Sequence, residues 1–121
     1  MRFEGEYPSN WQEIAQAVKD EAGWCCVRCG HPHEPKTGYT LTVHHLTGNK
    51  AQSAWWNLAA LCQRCHLRIQ AKVVMQRAWY LPHSAWFLPY VAGYYASVHG
   101  LPDSKEYVLP RIEELIARGQ S

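Results

Sequence analysis

The residues with the plainest chemistry are four cysteines in two pairs, Cys26-x-x-Cys29 and Cys62-x-x-Cys65. Two residues between paired thiols let both sulfurs reach one ion, and Zn²⁺ takes four such ligands tetrahedrally at about 2.3 Å. The two knuckles predict a structural Zn²⁺ site. Two disulfides or free buried thiols are the alternatives. Met1 to Gly5 is polar and no apolar signal core follows. A reducing cytoplasm is therefore expected, where such pairs bind metal more often than they oxidise. The fifth cysteine, Cys25, is spare. It reads as a buried free thiol, with replacement of Cys26 as ligand the other possibility.

A second set stands between and just after the knuckles: His44, His45, Asn57 and His66. Eleven residues separate His45 from Asn57 and eight separate Asn57 from His66. Phosphodiester hydrolysis needs a base for water, a cation for the developing negative charge, and donors for the phosphate. An imidazole can be the base at neutral pH. Adjacent strand residues point to opposite faces, so His44 and His45 are expected to divide the work, one facing a metal and the other the attacking water. Asn57 is a candidate to accept a hydrogen bond from the base and fix its tautomer. Each residue also has a plain structural reading. A lone strand histidine packs, Asn57 caps a turn, and His66 is a fifth candidate for the zinc cluster.

The net charge of +2 says little, but its distribution says more. All ten acidic residues lie at or before Glu34 or at or after Asp103. Between them fall Lys36, Lys50, Arg64, Arg68, Lys72 and Arg77, with five of the seven histidines. A local cationic field suits a polyanion whatever the global balance, although an ordinary solvated surface reads the same way. Arg64, Arg68 and Lys72 recur every four residues and would line one helix face. With Lys50, they are the candidate contacts to a DNA backbone.

The elements that must hold these groups follow from periodicity. A helix is expected from about Asn10 to Ala22, with Ser9 and Gln12 as a capping box and Gly23 as the stop. Trp11, Ile14, Ala15, Val18 and Ala22 form its apolar stripe. Tyr39 to His45 alternates as a strand, and a weaker strand is expected within Ser53 to Trp56. Helices follow at about Gln63 to Arg77, at Pro89 to His99 before Gly100, and from Ser104 or Pro110 to Arg118. The uncharged stretch Ala78 to Pro102 is broken by Pro82, Pro89 and Gly93 and is aromatic rather than aliphatic. It reads as a buried helical layer and not as a membrane span.

The run Leu41-Thr-Val-His-His-Leu46, then Asn57-Leu58, then Leu61-Cys62-Gln-Arg-Cys65-His66, resembles the HNH endonuclease family with its ββα-metal fold. The motif region runs from Cys26 to about Ile69. The resemblance implies a β-hairpin packed on a helix with one catalytic divalent metal between them. It puts His45 at the general-base position and His44 at the preceding metal-ligand position, often Asp in the family. Asn57 takes the position that orients the base loop, and His66 the ligand position on the helix. It also implies 5′-phosphate and 3′-hydroxyl products. Where some members carry a further His four residues after the helical one, this chain has Gln70. With no carboxylate in the set, two imidazoles suit Mn²⁺, Ni²⁺, Co²⁺ or Zn²⁺ better than Mg²⁺, though phosphate oxygens can complete a Mg²⁺ site.

The expectation is therefore one α+β HNH nuclease domain over 1–121. Its parts are an N-terminal helix (8–24), a zinc-bound ββα-metal core (25–77) and a helical extension (78–121). It is expected to cut DNA, most naturally double-stranded, and to have no membrane partner. A non-catalytic zinc-dependent DNA-binding module on the same scaffold is the competing reading. A third gives function to the C-terminal aromatics Trp79, Tyr80, Trp86, Phe87, Tyr90, Tyr94 and Tyr95, which otherwise belong to the core.

Overall fold

The computed structural model describes residues 6–69 and 85–120. The chain divides into two compact units, with the boundary between residues 74 and 75. In the first unit, helix α1 (Trp11–Glu21) precedes a two-stranded antiparallel hairpin, β1 (Leu41–His45) and β2 (Leu58–Cys62). Helix α2 (Gln63–Ile69) follows β2 directly, which gives the strand–strand–helix order of an α+β ββα fold.

Helix α1 starts without the expected cap. Asn10 is the N-cap residue and its side chain makes no capping bond. The first turn is held instead by backbone, Trp11 N–H donating to the Pro8 carbonyl at 3.0 Å. The predicted stop is present. Gly23 has φ +65° and its N–H donates to Asp20 O at 3.0 Å. Trp24 N–H donates to Lys19 O at 2.9 Å, completing a Schellman closure in which the left-handed residue needs no Cβ.

The second strand does not lie within Ser53 to Trp56. Trp55–Asn57 forms a short 3₁₀ turn, and β2 begins only at Leu58. All five β2 residues are buried. Both α1 and α2 pack on both strands. Because adjacent strand residues face opposite ways, the two helices cover opposite faces of the hairpin. A strand covered on both sides reads as a continuous apolar run and carries no period-two signal. In the register, His45 pairs with Leu58 and Leu41 with Cys62. The second knuckle therefore sits at the open end of the hairpin, and the histidines sit near the connection.

The second unit is helical: α3 (Leu88–Val98), a short α4 (Lys105–Val108) and α5 (Ile112–Gln120). Helix α3 packs on α5 through a core that includes Phe87, Val91, Tyr95, Val108 and Leu115. Of the described C-terminal aromatics, Phe87 and Tyr95 are buried in this core, while Trp86, Tyr90 and Tyr94 are half-buried. Trp79 and Tyr80 lie outside the described residues. Among the described residues, no helix is long and apolar enough to cross a membrane.

Candidate metal centre and histidine site

The sulfurs of Cys26, Cys29, Cys62 and Cys65 all lie within 4.8 Å of one another. Cys29 Sγ and Cys62 Sγ are 3.8 Å apart. Tetrahedral bonds of the usual Zn–S length put sulfurs about 3.8 Å apart, so the spacing suits an ion. None of the five cysteines is joined in a disulfide, and the grouping of four sulfurs fits one shared ion better than two S–S bonds. Backbone N–H groups point at the sulfurs, as knuckle turns arrange them. Arg28 and Cys29 donate to Cys26 Sγ at 3.4 and 3.5 Å, and Cys65 N–H donates to Cys62 Sγ at 3.4 Å. Gly30, at φ +80°, closes the first knuckle by donating to Cys26 O at 2.8 Å.

The electrostatics of the cluster also ask for a cation. Burial works against the Cys26 thiolate, but backbone donors bring its pKa down to about 7. Burial and three neighbouring thiols push Cys65 up to about 12, against the help of Arg28, whose Nη1 lies 3.3 Å from its sulfur. Burial raises Cys29 as well. Four thiolates this close repel one another, and a divalent ion removes that repulsion. Cys25 is turned away, its thiol donating to Gly23 O at 3.5 Å. The sequence reading did not anticipate Arg28; its place inside the Cys26–Cys29 turn was the available signal.

The predicted histidines divide between the two faces of the hairpin. His44 meets His66 on the α2 side, with ring centroids 4.5 Å apart. His66 Nδ1 lies 3.0 Å from Thr42 Oγ1, and His66 is not part of the cysteine cluster. Burial, and then the charges of His66 and His45, hold His44 down to about pH 4. Burial lowers His66 too. Both rings are therefore neutral lone-pair donors at neutral pH, which is the form that binds a metal.

His45 takes the other face, only 8% exposed, with its ring 4.8 Å from that of Trp11 and 5.7 Å from that of Tyr7. Its pKa is lowered by burial and then by Lys50. Its Nε2 is buried without a hydrogen-bond partner. A buried imidazole nitrogen left without a partner is uncommon enough to call for an explanation. The strand alternation carries no sign that His45 packs against α1, although Trp11 belongs to the apolar stripe of that helix.

Asn57 is fully buried and bonds to the loop between the strands rather than to an imidazole. Its Oδ1 accepts from Thr47 N–H at 2.7 Å, and its Nδ2 donates to Gln52 O at 2.8 Å and to Asn49 O at 3.4 Å. Leu46 N–H donates to the Asn57 carbonyl at 2.8 Å. The candidate hydrogen bond from the base to Asn57 is thus replaced by bonds that fix the chain leaving His45. Asn57→Ala strips partners from the Thr47 N–H and from the Asn49 and Gln52 carbonyls and leaves a gap in the core, at about 1–3 kcal/mol for each group left unsatisfied. Urea unfolding should show the first unit destabilised by about 3 kcal/mol; a change below about 0.5 kcal/mol, the scatter of ordinary surface sites, would contradict this role.

Of the basic candidates, Arg64 and Arg68 are exposed on one face of α2. Arg64 is already tied down. Its Nη2 donates to Thr37 O at 2.9 Å and its guanidinium lies 4.6 Å from the Tyr39 ring centroid. Gly38, at φ +87°, permits this approach, because a Cβ there would stand 3.3 Å from Arg64 Nε. Lys50 Nζ lies 5.1 Å from the Tyr7 ring centroid. Lys72 lies outside the described residues.

Residues 26–72 match the family model described as HNH endonuclease, the family whose motifs the histidines and asparagine resemble. No curated protein and no solved structure matches the chain.

Proposed function

From a segment that matches the HNH endonuclease model, we propose that the chain is a metal-dependent endonuclease that hydrolyses DNA phosphodiester bonds. The observation that carries the reading is the pairing of His44 with His66 at 4.5 Å; His45, next in the strand but on its opposite face, has a buried Nε2 with no partner. In this reading Cys26, Cys29, Cys62 and Cys65 hold a structural Zn²⁺, and His44 and His66 hold a second, catalytic divalent ion. That ion, when bound, supplies the positive charge that phosphodiester cleavage develops a need for. His45 is the proposed acceptor of the attacking water's proton; because its ring packs against Trp11 on the face opposite the His44–His66 pair, this role requires the end of β1 to turn the ring toward the bound phosphate. Asn57 keeps the loop after His45 in place. The expected products carry 5′-phosphate and 3′-hydroxyl ends, and double-stranded DNA is the expected substrate.

Exposed cations on α2 suit phosphate contacts, which set register without reading sequence. Arg68→Ala should weaken DNA binding at all sequences alike. It should also flatten the plot of log affinity against log salt by about 0.9, one phosphate's share. An unchanged slope removes Arg68 from the interface.

The direct test of activity is incubation of supercoiled plasmid with the zinc-loaded chain and Mn²⁺, Ni²⁺ or Mg²⁺, with and without EDTA. Nicked or linear product that depends on the added metal is the expected result. DNA retained in a gel shift but left intact with every metal would mean a binding module instead.

A further inference from the structure

Thr42 and His44 are two residues apart on β1, so their side chains leave the same face of the hairpin. His66 meets both from α2, its ring 4.5 Å from that of His44 and its Nδ1 3.0 Å from Thr42 Oγ1. A threonine hydroxyl has one proton to give. Thr42 gives it to the Leu61 carbonyl at 2.7 Å. In the contact with His66, Thr42 is therefore the acceptor, and Nδ1 of His66 carries the hydrogen. A neutral imidazole protonated on Nδ1 has its lone pair on Nε2.

We infer that Thr42 is a positioning residue that holds His66 in the Nδ1–H tautomer, leaving Nε2 as the ring's metal-binding atom. The carbonyl of Leu61 is the anchor of this relay, since it commits the hydroxyl proton and fixes the direction of the bond. Leu61 lies directly opposite Thr42 in the strand register, so the hairpin itself builds the device. Serine preserves the relay. Valine has the shape of threonine and the same β preference, but cannot accept the Nδ1–H bond. The consequence for metal affinity rests on the endonuclease reading above; the tautomer does not.

The test uses the full zinc-loaded chain in three forms: unaltered, Thr42→Val and Thr42→Ser. Ring ¹⁵N NMR at pH 8 reads the His66 tautomer without any second metal. Nδ1–H is expected in the unaltered chain and in Thr42→Ser, and its loss to a mixture or to Nε2–H in Thr42→Val. Ni²⁺ titration by calorimetry is expected to show affinity reduced about 10–100-fold in Thr42→Val and largely restored in Thr42→Ser. An Nε2–H tautomer in the unaltered chain overturns the inference, as does a Thr42→Val chain with unchanged tautomer. Where the unaltered chain binds Ni²⁺, equal affinity in all three forms overturns the claim that Thr42 readies His66 for the metal. If the unaltered chain binds no Ni²⁺ but the tautomer follows Thr42 as described, the positioning role stands and the catalytic-metal reading falls. Should Thr42→Val fail to fold, the tautomer in the unaltered chain and in Thr42→Ser still decides the matter.

Discussion

His45→Ala is expected to reduce metal-dependent DNA cleavage by about 10²–10⁴-fold, the usual contribution of a positioned general base. DNA binding should persist, because the cations on α2 are untouched. The ring of His45 also packs on Trp11, so the alanine leaves a gap against α1. His45→Gln keeps much of that bulk without a usable base, and should lose cleavage to the same extent while unfolding nearer to the unaltered chain. The pH dependence gives an independent handle. Burial and Lys50 lower the His45 pKa, so the neutral, proton-accepting form is fully present above the ordinary histidine value. The acid limb of cleavage rate against pH should therefore have its midpoint below about 6.5, and it should disappear in the residual activity of His45→Gln. A residual rate within a factor of two of the original would take the base role away from this residue.

The second large effect concerns the thiolate cluster. Removing the ion with a strong chelator should unfold the first unit, because the binding energy of a structural Zn²⁺, about 10–16 kcal/mol in small zinc domains, is largely folding energy. The four sulfurs join the first knuckle to the end of β2 and the start of α2. Without the ion, burial keeps the Cys65 and Cys29 thiols protonated and the bonds that join the two knuckles are gone. Loss of far-UV circular dichroism and of amide protection over residues 24–69, restored by adding Zn²⁺, is the expected result. Cys62→Ser should act like chelation and Cys25→Ser should be silent, since Cys25 points away from the cluster. A chelated chain that keeps its protection would show that the hairpin and its two helices hold themselves together.

Much of this arrangement was legible from residue spacing, and the exceptions have physical causes. The knuckles were plain because two-residue spacing between thiols has few other uses. The stop of α1 was plain because Gly23 meets a demand for positive φ. The start of α1 lies within a residue of that expected, but its cap differs, because Ser9 and Gln12 fit a capping pattern that a backbone turn from Pro8 makes unnecessary. Strand β2 was misplaced because Leu58 to Cys62 is buried on both faces and shows no alternation. Asn57 was recognised as special, but its partners were not, since they lie on a loop whose path no local pattern specifies. The Thr42 relay was in principle readable, because Thr42 shares a strand face with His44. What no one-dimensional pattern showed was that His66 would arrive on that face.

The distinction between the two metal sites can be measured directly. Crystals of the zinc-loaded chain soaked in Mn²⁺ or Ni²⁺ would be measured at the absorption edges of zinc and of the added metal. The expected result is zinc alone among Cys26, Cys29, Cys62 and Cys65, with the added metal between His44 and His66. A single anomalous peak at the thiolates, with no metal on the histidine pair even at millimolar concentration and with DNA bound, would contradict it.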